Sequence, residues 1–79
     1  MAENLVDYDN ICEATGTRIQ DGDHLVKEAV AAFATCKTWR GVARKALVLR
    51  DKAVRQEKFL SALIYDTIHN NAQREIENE

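Results

Sequence analysis

Apolar residues return every three or four positions through most of Trp39 to Ile68, and no proline interrupts them. Trp39, Val42, Ala43, Ala46, Leu49, Ala53, Leu60, Ile64 and Ile68 project to one side of a helix advancing about 100° per residue. Lys37, Arg40, Arg44, Lys52, Arg55 and Lys58 gather on the other side. The pattern predicts a helix over about 39–76, drawn as one long rod or as two helices in near-line. Its weak point is the run 55–58, where Glu57 intrudes on the apolar side. A break within 50–58, with Asp51 capping a new helix, is the alternative.

Two shorter helices precede it. Leu5, Tyr8, Cys12, Thr15 and Ile19 alternate spacings of three and four, which predicts a first helix over about 5–19, capped by Asn4. Gln20-Asp21-Gly22-Asp23 reads as the turn that follows, with Gly22 suited to the left-handed conformation that ends helices. A second helix over about 24–36 is expected to bury Leu25, Val26, Ala29, Val30, Phe33 and Cys36. Thr38 then caps the third. The expected fold is all-α: one small helical bundle spanning 1–79, with the first two helices as a hairpin packed on the long third one.

Charge is segregated along the chain. Residues 1–36 carry seven acids against two bases, 37–58 eight bases against two acids, and 59–79 four acids against Arg74 alone. The block balances are −5, +6 and −3, so the formal net charge of −2 conceals a strongly uneven distribution. Uneven charge speaks to partners rather than to fold. With 79 residues, the core is small, and such cores rarely supply more than ~3–5 kcal/mol. Self-association or docking on a larger partner would relieve that shortage. The apolar run that opens with Phe59 broadens the stripe, so Phe59, Leu60, Leu63 and Ile64 are the expected self-association seam of a homodimer.

Several function classes fall away. No segment approaches the ~18 apolar residues that span a bilayer, so no membrane role is expected. The acidic start lacks the basic-then-apolar profile of a signal peptide, which makes the cytoplasm the expected location. Cys12 and Cys36 lie on apolar stripes and are expected to be buried thiols. Cys12, His24, Cys36 and His69 are 12, 12 and 33 residues apart, without the short recurring spacings of a metal site. No metal and no cofactor are expected. Ser61 is the only serine and stands apart from both histidines, and glycine-rich phosphate cradles are absent. The chain is not expected to be an enzyme.

What remains is a non-enzymatic protein-interaction module, a self-associating regulator or stoichiometric inhibitor that binds a larger protein. Its expected partner-binding residues are Lys37, Trp39, Arg40, Arg44, Lys45, Arg55 and Lys58. Trp39 serves either as a core residue at the helix start or as an anchor for the partner. One alternative is a nucleic-acid-binding regulator using the basic helix 37–58, which the net negative charge disfavours. Another is an inhibitor, of the kind carried by phages and mobile elements, whose acidic surface (Glu3, Asp7, Asp9 and Glu13) covers a nucleic-acid-handling machine.

Overall fold

The structure is a computed structural model that describes residues 5–9, 11 and 23–78. It is an all-α bundle. Three helices are described over their length: α1 (Asp23–Ala32), α2 (Trp39–Arg55) and α3 (Phe59–Glu77). The largest contact joins α2 to α3, and α1 packs on α3. Phe33, Ile64, Val26 and Val42 are the largest fully buried side chains. The aromatic rings of Phe33 and Tyr65 meet at 6.3 Å between centroids, tilted by 60°, which ties the end of α1 to α3.

The expected rod is a hairpin instead. A continuous helix over 39–76 would be about 57 Å long, whereas the longest dimension of the molecule is 33 Å. The chain breaks at Gln56–Lys58, within the weak run 55–58 and inside the 50–58 window of the alternative, and doubles back. Arg50 Nη1 donates to Asp66 Oδ1 at 2.8 Å across the hairpin, a separation of 16 residues that near-line helices would hold roughly 24 Å apart. Asp51 does not open the new helix; it stands inside α2.

The stop has a defined geometry. Glu57 N–H donates to the Val54 carbonyl at 3.0 Å and Lys58 N–H to the Ala53 carbonyl at 2.8 Å. This crossed pair is the Schellman arrangement, which requires a left-handed residue just past the helix end. Glu57 supplies it with φ 59°. The helix macrodipole favours the same place, because Lys52 and Arg55 occupy the last turn of α2. At the other end Thr38, extended at φ −133° and ψ 151°, accepts from Gly41 N–H at 3.1 Å, the N-cap expected from sequence.

α1 ends four residues short of the expected boundary. Phe33 N–H still reaches the Ala29 carbonyl, but Ala34 N–H turns to Ala31 and Cys36 N–H to Phe33, a tightened final turn. Val26, Ala29 and Phe33 are buried, and Leu25, Val30 and Cys36 pack partly against the core. Near the chain start, Tyr8, Asp9 and Ile11 are helical, and Ile11 N–H donates to the Asp7 carbonyl at 3.2 Å. Leu5 and Val6 lie in a bend before that turn. The buried residues there are Val6 and Ile11, with Leu5 and Tyr8 at the edge. Leu5 and Tyr8 of the expected stripe thus lie at the core edge, while Val6 and Ile11, which that stripe omits, are the buried residues there. Asn4, Cys12, Thr15, Ile19 and the turn residues 20–22 lie outside the described residues.

Candidate functional site

The outward side of α2 is the candidate site. Arg44, Val48 and Arg55 lie within about 40° of one another around the helix, with Arg40 and Lys52 flanking them. All five side chains are exposed, and Val48 keeps 63% of its surface. Lys37 precedes the helix and Lys58 follows it, both exposed. Among the described residues, the only basic side chain of α2 in an ion pair is Arg50, which meets Asp66 at 2.8 Å and Asp51 at 3.9 Å. Arg40, Arg44, Lys52 and Arg55 thus form a cationic face with no carboxylate of the described residues within ion-pair distance.

Two residues expected on that face serve the fold. Lys45 is half-buried, and its ammonium donates to the Ala32 carbonyl and stands 6.0 Å from the centre of the Phe33 ring. It satisfies one of the carbonyls left unpaired at the end of α1 and sits favourably at the negative end of that helix. Lys45 enters the expected site as a neighbouring base and not from the polar-side spacing; it lies about 100° from the buried Ala46, at the margin between core and solvent. Trp39 is half-buried against the core, which fits its role as a core residue at the helix start.

The expected seam divides. Phe59 (67% exposed) and Leu63 (52% exposed) do face outward on α3. Leu60 is half-buried and Ile64 retains only 1% of its surface. Ile64 belongs to the monomer's own core, because the hairpin gives it α2 and α1 as neighbours that a rod would not. Of the acidic residues, Asp7 and Asp9 are exposed, and Glu3 and Glu13 lie outside the described residues.

A groove of about 570 Å³ opens between α1, the end of α2 and the start of α3. Leu25, Leu49, Leu60 and Tyr65 make its apolar floor; Glu28, Lys52, Glu57 and Lys58 stand at its lip. Burial, and then the negative charge of Glu28, hold the Tyr65 hydroxyl above the ordinary tyrosine value of 10.0. Sequence reasoning missed this groove because it exists only once the chain doubles back at Glu57. It also missed Val48, although that residue's position about 160° from Ala46 on the helix, opposite the apolar stripe, is a readable signal.

Among the described residues no group of three or more His, Cys, Asp or Glu could hold a metal ion, and no helix is long and apolar enough to cross a membrane. Comparison with family models, curated proteins and solved structures returns no match.

Proposed function

We propose that this chain is a non-enzymatic protein-interaction module, a small self-associating regulator or stoichiometric inhibitor acting in the cytoplasm. It presents the outward side of α2 to an acidic surface on a larger protein. The observation that carries this reading is the set of exposed cations at Arg40, Arg44, Lys52 and Arg55 that make no ion pair with a described residue. Like charges four apart cost a helix roughly 0.2–0.5 kcal/mol per pair. A fold that pairs Arg50 with Asp66 and gives the Lys45 ammonium the Ala32 carbonyl, yet leaves these outward, is suited to an external anion. Val48 in their midst adds an apolar contact that a protein surface can cover.

The test is capture from native lysate after nuclease treatment, comparing wild type with Arg40→Glu/Arg44→Glu. Both residues are exposed, so helicity should be unchanged by circular dichroism while capture is lost. Undiminished capture by the double variant removes the basic face from the mechanism.

Nucleic acid is the second reading, supported by the same row of cations. It predicts binding that weakens steeply with salt, with a log–log slope of about −3.6 for four phosphate contacts on duplex DNA. A flat salt response excludes it. The formal net charge of −2 weighs against it, since dedicated nucleic-acid binders are usually basic overall.

A further inference from the structure

The groove at the α2–α3 turn carries its own plug. Phe59 is one of its lining residues and is also the most exposed large apolar side chain among the described residues. Leu63, one turn further along α3, extends the protrusion. Knob and hole therefore belong to one patch, which is the requirement of a two-fold contact, where the same surface must meet itself. The volume of about 570 Å³ falls within the range that accepts bulky apolar groups.

The charges at the lip point the same way. Glu28 and Glu57 stand there with Lys52 and Lys58. Two anions and two cations make a patch that is neutral as a whole and complementary to its own copy. By contrast, the outward face of α2 would repel a copy of itself.

We infer that the groove is the seam of a homodimer: a second copy of this chain inserts its Phe59 and receives the first copy's Phe59 in return. Each lysine at one lip then meets a glutamate of the other. The inference rests on the self-association in the proposed function and specifies its surface. The dimer draws Lys52 and Lys58 into the seam and leaves Arg40, Arg44, Val48 and Arg55, which do not line the groove, to meet a partner from either copy.

Molar mass in solution tests it, measured on the full chain by sedimentation equilibrium from micromolar to millimolar concentrations. Wild type should approach twice 8.9 kDa. Phe59→Glu, at an exposed site, should keep its helicity and weaken the dimer by at least about ten-fold. Two charge variants separate this seam from general stickiness. Lys52→Glu/Lys58→Glu makes the lip wholly acidic, and Glu28→Lys/Glu57→Lys makes it wholly basic. Each alone should be monomeric, and an equimolar mixture should recover the dimer mass. A wild type that stays at 8.9 kDa, a dimer indifferent to Phe59→Glu, or a mixture that remains monomeric overturns the inference. None of these readouts needs a partner, so loss of capture by Arg40→Glu/Arg44→Glu with an intact dimer mass remains a separate result.

Discussion

Glu57 holds a left-handed backbone at φ 59°, a conformation that costs a residue with a Cβ about 1 kcal/mol or more. Glycine would adopt it freely. Glu57→Gly should therefore stabilise the hairpin by about 0.5–1 kcal/mol, read as a higher urea midpoint in a Phe59→Glu background that removes self-association. Nothing in the residue type announces this turn, whereas Thr38, a hydroxyl residue just before an apolar run, announces its cap plainly. Lys45 illustrates the same gap. Its charge placed it on the surface, yet its ammonium serves the Ala32 carbonyl and the Phe33 ring. Lys45→Met, which keeps the stem, should cost about 1–2 kcal/mol. Tyr65 sets a pH limit. Its acidity is suppressed in the folded state, so the folded chain holds that proton more tightly than the unfolded chain. Its contribution is complete below pH 10.0 and is lost as pH rises beyond. Glu28→Gln should bring the Tyr65 titration back toward the ordinary value in an ultraviolet absorbance titration.

At the scale of elements, α2 and α3 make the largest contact in the bundle, and both bury alanines. Ala43, Ala46 and Ala53 are buried on α2, and Ala62 and Ala72 on α3. Ala46→Leu should therefore overpack the interface and cost about 1–3 kcal/mol, measured by thermal unfolding. The Arg50–Asp66 bridge is half-exposed, and Asp66→Asn should cost no more than about 1 kcal/mol. Helix content was readable because each stretch carries its own 3.6-residue period. The fold-back was not, because Leu60, Ile64 and Ile68 keep phase with Trp39 to Ala53 whether the chain continues or reverses. In a rod the two stripes form one face; in the hairpin they face each other. The burial of Ile64 and the Arg50–Asp66 bridge distinguish the hairpin, and both depend on tertiary contacts that periodicity does not contain.

For the whole molecule, the segregation of charge survives folding in altered form. The basic block becomes the outward side of α2 with its extensions at Lys37 and Lys58, while Arg50 and Lys45 are drawn inward. Five of the seven residues expected to meet a partner (Lys37, Arg40, Arg44, Arg55 and Lys58) are exposed, and all five come from the polar side of the amphipathic pattern. The cationic face is thus a property of one helix and was legible. The groove is a property of three elements and was not. Val48 lies at the centre of that face, so site-specific photo-cross-linking reports on it directly. With the cross-linker at Val48, irradiation in native lysate should yield a nuclease-resistant protein adduct. The same group at Asn70, exposed on α3, should yield little. Adducts confined to Asn70, or equal at both positions, would contradict the assignment of the α2 face as the docking surface.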